Sequence, residues 1–214
     1  MVDRYEAVGP EAEFEPGSRG RVLRNLIGVR SARAMAEAES VALLEATQRL
    51  IDETRTDQRF TAADICRMHR VWLEKIYSWA GAYRSVNVAK GQFMFAAAIH
   101  VPKLMTDLER GPLREFTPCR VSVPADQARA LAVVHTELIL IHPFREGNGR
   151  CARILAVLMG LQAGLPPLDF GGIHAAERRR YIAAIHAGLD RDYEPMAEIF
   201  RRIITRTLRG VSRA

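Results

Sequence analysis

What the 214-residue sequence lacks narrows its function first. No apolar run approaches the roughly 20 residues that a membrane helix needs. The amino-terminal stretch, with Asp3, Glu6 and Glu11, has no basic-then-apolar leader layout. A cytoplasmic location with no membrane partner is therefore expected. Cys66, Cys119 and Cys151 are odd in number and scattered without CxxC spacing, which argues against a disulfide framework and a zinc knuckle. There is no HExxH pattern, zinc-finger spacing, basic zipper, aromatic–basic RNA motif or internal repeat. His135 and His142 stand seven apart, but no third ligand is spaced for a tetrahedral metal, and His69, His100, His174 and His186 show no partner by spacing.

What remains is an ordinary globular composition, 48% hydrophobic and 26% charged, in a chain long enough for one compact domain. The net charge of +6 would suit a polyanionic partner such as a nucleotide or nucleic acid. Yet Arg201, Arg202, Arg206 and Arg209 fall between apolar residues at helical spacing, so a solvated helix face accounts for them as well. No direct nucleic-acid partner is expected.

Residues 1–20 carry Gly9, Pro10, Pro16, Gly17 and Gly20, with Tyr5 and Phe14 as the large rings, and read as an arm or irregular cap; residues 21–214 read as one domain. Arg33 to about Arg55 is amphipathic helix, with Met35, Val41, Leu43, Leu44 and Leu50 among Glu37, Glu39 and Glu45. Thr61 followed by Asp64 resembles a capping box and opens a second helix that runs through Trp72 to Ile76. Near-alternate apolar residues from Val86 to Val101, around Lys90-Gly91, fit a short hairpin. Ser122 and Pro124 open a long helix ending at Ile141, and further helices are predicted over about 148–163, 175–189 and 193–208. The fold class is all-α with one small β-hairpin.

One run departs from this pattern: His142-Pro143-Phe144-Arg145-Glu146-Gly147-Asn148-Gly149-Arg150, followed by Arg153. Pro143 breaks an apolar helix, and two glycines sit where the next helix must begin. A helix start offers unpaired N–H groups and partial positive charge, and glycine lets an anion approach the backbone. Arg150 and Arg153, three apart, can face one side and grip phosphates bidentately. Glu146 is placed to hold a Mg²⁺ that bridges phosphates, and His142 can take a proton near neutral pH. Phe144 is expected to be buried and to anchor the loop. A base, a metal ligand, an anion nest and two arginines describe phosphate-ester transfer.

This run resembles the signature of the Fic family, His-x-Phe-x-Asp/Glu-Gly-Asn-Gly-Arg-x-x-Arg, at every defined position. Val22 to Val29 resembles the family's amino-terminal Leu-x-Asn-Lys-Leu-Gly-Ile segment, with Leu26-Ile27 in place of Lys-Leu. Trp79 to Arg84, Val86 to Gly91 and Phe95-Ala96 resemble the strand and flap region, so the likeness spans about residues 21 to 208. It implies a helical core with a hairpin flap and transfer of AMP from MgATP to a Ser, Thr or Tyr hydroxyl. His142 would then be the base, Glu146 the Mg²⁺ ligand, and Gly147, Asn148 and Gly149 the nest, with Asn148 also reaching phosphate. Arg150 and Arg153 would hold the phosphates that leave. Val88, Lys90, Gly91, Phe93 and Phe95 would form the flap on which an extended target segment docks.

Relatives with this fold also move other phosphoryl groups, but the Doc-like branch carries lysine where this chain has Gly149, which favours adenylylation. A non-enzymatic basic adaptor or DNA-binding protein is the other alternative, against which stands the intact motif. Many family members are silenced by a helix of pattern Ser/Thr-x-x-x-Glu-Gly/Asn whose glutamate meets the second signature arginine, here Arg153. No such pattern occurs; Ser40 reaches Glu45 one residue too late. A variant inhibitory helix within the chain is one alternative; the simpler one that the resemblance implies is a toxin whose antitoxin supplies the glutamate, with type II topoisomerases as candidate targets.

Overall fold

The computed structural model describes residues 11–91, 93–171 and 175–211. Tyr5, Gly9 and Pro10 of the expected arm, and His174, lie outside the described residues. The rest of the arm is irregular, with one isolated β-bridge between Phe14 and Leu23 and further hydrogen bonds that join Glu11, Glu13 and Glu15 to the domain.

Eight helices and one hairpin follow in the described chain: α1 (Ala32–Glu53), α2 (Ala62–Leu73), β1 (Ala89–Lys90), β2 (Phe93–Met94), α3 (Val101–Leu108), α4 (Arg114–Phe116), α5 (Pro124–Ile141), α6 (Asn148–Gln162), α7 (Ala175–Ala187) and α8 (Glu194–Val211). The expected fold class holds. The Thr61–Asp64 capping box forms in both directions at the start of α2, each side chain satisfying a backbone N–H of the other's residue. Ser31 caps α1 through the Ala34 N–H.

The hairpin is shorter than the alternation suggested. It pairs only Ala89 with Met94 and Lys90 with Phe93, and Ile99 and Val101 belong instead to a 3₁₀ turn and to α3. Val101, Met105 and Leu108 recur at helical spacing and are all buried, a signal that the shorter alternating window concealed.

α5 is the central post. It buries residues on every side, from Ala128 to Ile141, as a helix surrounded by protein must, and packs most extensively on α8 and α6. α8 is the opposite case, with Met196, Phe200, Ile203 and Ile204 inward and arginines outward. The core thus fixes the carboxyl end of α5 against the amino end of α6, and the run from His142 to Gly147 is the short link between them. No described helix is long and apolar enough to cross a membrane.

Candidate active site

The link is shaped by its own backbone. His142 ends α5 in the left-handed region (φ 53°), and Gly147 opens α6 at φ 82°. Gly147 has a second reason to be glycine: a Cβ there would stand 2.5 Å from the Trp72 ring. Between them Phe144 is fully buried, stacked on the His69 imidazole with ring centroids 3.9 Å apart. The Asn148 amide clasps the loop shut, its Oδ1 accepting from the Phe144 N–H (2.8 Å) and its Nδ2 donating to the Phe144 carbonyl (2.7 Å). The side chain expected to reach phosphate is thus spent on the loop, and what Asn148 can offer an anion is its N–H at the first turn of α6.

His69 and Arg84, neither singled out as a site residue from the sequence, complete the support. The Gly81 N–H donates to His69 Nδ1 (2.8 Å), so Nε2 carries the proton and donates to the Glu146 carbonyl (3.1 Å). Burial pushes this imidazole down to about 4, which keeps it neutral. Arg84, 2% exposed, donates Nε–H to the His142 carbonyl (2.6 Å), and its Nη groups reach the Val86, Ala96 and Ile141 carbonyls. One guanidinium therefore joins the flap to the carboxyl end of α5, where orphan carbonyls and the helix dipole favour a cation. From the arm, Glu11 accepts from the Ser85 N–H (2.7 Å) and its carbonyl accepts from Arg145 Nε (2.9 Å).

The reactive groups line one cavity of about 400 Å³: Val88, Ala89, Lys90, His142, Arg145, Glu146, the three nest residues, Arg150 and Arg153. A wider groove of about 680 Å³ runs along α8, but its Arg201, Arg202 and Arg206 are already ion-paired to Glu194, Glu198, Glu177 and Asp169. In the smaller cavity His142 Nδ1 lies 3.2 Å from the Ile139 carbonyl, an obligate acceptor, so Nδ1 bears the proton and Nε2 keeps its lone pair. Its ring is covered by Phe95, centroids 3.6 Å apart. Burial, against the Ile139 bond and helped by Arg84 and Lys90, lowers its pKa to about 4. A Cβ on Gly149 would meet nothing within 4 Å, so that side of the nest is open. The Glu146 carboxylate is half exposed, with Oε1 on the Gly147 N–H.

The two arginines differ. Arg150 Nη1 is 2.8 Å from Glu39 Oε2, and its guanidinium lies 4.5 Å above the Trp72 ring. Arg153 lies 5.7 Å from the Phe170 ring centroid, and its buried Nε has no hydrogen-bond partner among the described residues. In the flap, the Phe93 ring stacks on His186 (4.5 Å) and Phe95 on His142, so both rings face the domain, while Ala89, Lys90 and Met94 are exposed. His135, buried, bonds the Ala152 carbonyl and the Tyr181 hydroxyl, which leaves no role for it as a metal ligand. Cys119 and Cys151 are buried free thiols whose pKa burial raises.

A probable protein adenylyltransferase Fic of Salmonella typhimurium is 30% identical over 213 residues, which cover 96% of this chain and 97% of that protein. The chain belongs to the Fic/DOC family. The model of that family matches residues 59–159, from just before the cap of α2 to the last turn of α6. A probable protein adenylyltransferase Fic of Escherichia coli is 27% identical, covering 96% of this chain and 97% of its own. Fic-1 of Caenorhabditis briggsae, a protein adenylyltransferase, is 32% identical over 133 residues, but the chain spans only a quarter of its length. Among solved structures, the BepC protein of Bartonella tribocorum, with bound AMPPNP, superposes with a TM-score of 0.69 at 23% identity over 85% of this chain and 91% of that one. Its likeness establishes the fold. Relatives matching nearly end to end make this Fic chain an enzyme of the protein adenylyltransferase class.

Proposed function

We propose that the chain transfers AMP from MgATP to a Ser, Thr or Tyr hydroxyl of a target protein. The observation that carries this reading is the shared cavity: an imidazole with its free Nε2 on one side, and on the other an open helix start with two arginines on its first two turns. His142 Nε2 takes the proton of the target hydroxyl as its oxygen attacks the α-phosphorus. The bond from the α-phosphorus to the bridging oxygen breaks, and pyrophosphate leaves. The N–H groups from Gly147 to Gly149 and the α6 dipole stabilise charge on the transferring group, and Arg150 and Arg153 hold the leaving phosphates.

The donor set fits Mg²⁺: one half-exposed carboxylate, Glu146, beside a phosphate nest, with no cluster of three metal-ligating side chains among the described residues. The ion would supply charge neutralisation between two phosphates, and Glu146 would hold it. The flap would present its exposed backbone edge to an extended target segment.

The same reading makes the chain the toxin of a toxin–antitoxin pair. Support comes from the missing inhibitory pattern in the sequence and from Arg153, the arginine such a glutamate would meet, which lines the cavity. Type II topoisomerases are the first targets to try. The test is incubation with labelled ATP, Mg²⁺ and a cell lysate. α-Label on a protein is the expected result; γ-label would replace adenylylation by phosphotransfer, and no label on any protein would overturn the catalytic reading. Expression alone should slow growth, and co-expression of a short neighbouring reading frame carrying the pattern should restore it.

A further inference from the structure

Glu39 is a glutamate in a core position. On α1 the buried line runs Met35, Glu39, Ala46, Leu50, and Glu39 is 6% exposed on it. A carboxylate there is costly unless every oxygen is answered. Oε2 accepts from Arg150 Nη1 at 2.8 Å and Oε1 from the Tyr77 hydroxyl at 2.7 Å, while the Glu39 backbone carbonyl accepts from the Trp72 indole N–H at 2.9 Å. Tyr77 is itself fixed by stacking on Trp79, centroids 4.4 Å apart.

The arrangement has a direction. Arg150 lines the cavity; Glu39 and Tyr77 do not, and stand behind it. The guanidinium is therefore held on one face by Trp72 and at Nη1 by Glu39, and what remains is turned to the cavity, with Nη2 3.4 Å from Glu146. A pair meant only to join α1 to α6 has no need of an ion bridge, since apolar residues of similar volume serve as well or better. A guanidinium that must meet phosphate in one orientation does gain from being set before the ligand arrives.

We propose that Glu39, held by Tyr77, is a positioning residue that orients Arg150 for the polyphosphate of the nucleotide. The inference rests on the reading of this cavity as the ATP site. Charge alone predicts the opposite sign, because removing a carboxylate near an anion site should tighten anion binding. That opposition makes the test decisive.

The experiment measures MgATP affinity by calorimetry for the full chain, Glu39→Gln, Arg150→Ala and the double variant. Glu39→Gln should weaken binding about tenfold, and should have no further effect once Arg150 is alanine, as expected of residues acting through one another. Tyr77→Phe, which keeps the ring stack, should weaken binding about threefold and serves if Glu39→Gln does not fold. Additive losses would reduce Glu39 to a structural residue, and tighter binding in Glu39→Gln would make it a brake; either result overturns the proposal. A wild-type chain that binds neither ATP nor inorganic triphosphate would instead overturn the cavity assignment itself.

Discussion

The signature loop and the flap face each other across one cavity, and they are built in opposite ways. The loop is closed from within by the Asn148 clasp, from beneath by Phe144 on His69, and from behind by the tight fit of Gly147 on Trp72. The flap is two residues per strand, a length too short to stand alone, tied down at its base by Arg84 and by Phe93 and Phe95 on two imidazoles. The groups that must be exact for chemistry are on the side with the most internal bonds. The backbone edge proposed to receive a target segment is on the side with the fewest. Pre-organisation and adaptability thus fall to separate segments that meet at Arg84 and at the Phe95–His142 stack.

The largest effect should come from removing the proposed base. His142→Ala should lower target modification by roughly 10²–10⁴ in rate while MgATP still binds, because the imidazole serves the attacking hydroxyl and not the nucleotide. Single-turnover label transfer beside a binding isotherm checks it, and near wild-type transfer would end the mechanism. Gly147→Ala breaks the loop side itself. It adds a Cβ at φ 82° that meets Trp72 at 2.5 Å, so nucleotide binding and stability should fall together, the latter by roughly 2–4 kcal/mol. An unchanged denaturation midpoint with intact ATP binding would show that the loop is less constrained than its bonds imply.

A third test reaches the histidines that hold the frame. His69 and His135 are buried neutral with pKa values lowered by burial to about 4. The unfolded chain, with imidazoles near 6.5, binds more protons between those values, so their contribution is complete above about pH 6.5 and is lost as pH falls towards 4. Going from pH 7.5 to 5 should cost roughly 2 kcal/mol for each, read as a lower urea midpoint. No drop in the midpoint would mean that these rings are charged without penalty.

The helices and the signature were legible because both are local. Capping residues, helical spacing and a twelve-residue motif carry their meaning within a window, and α1, α2, α5 and α6 lie within a few residues of expectation. The support was not legible because each member takes its meaning from a distant partner. His69 bonds Glu146, Arg84 bonds His142, and Glu39 bonds Arg150, separations of 77, 58 and 111 residues. Glu39 did leave a trace: it occupies the slot four residues after Met35 on the stripe that continues to Ala46 and Leu50, where an apolar residue belongs. α3 was hidden for another reason. Phe95, Ile99 and Val101 alternate closely enough to pass for strand, and only Met105 and Leu108 beyond them reveal the helical period.

The smallest effect is expected at the flap tip, and it tests the division between the two regions most directly. Gly91 is at φ 63°, in the turn between β1 and β2, and a Cβ there would meet nothing within 4 Å. Gly91→Ala therefore adds only the backbone cost of a side chain in the left-handed region, about 1 kcal/mol. The hairpin has little pairing with which to resist that cost, so its register should loosen while the loop, which shares no hydrogen bond with residue 91, keeps its form. The expected result is MgATP affinity within about twofold of wild type and a several-fold rise in KM for the protein target, with kcat little changed. A loss of ATP affinity as large as the loss in target KM would mean that flap and loop move as one unit. An unchanged target KM would mean that the target does not dock on the flap edge.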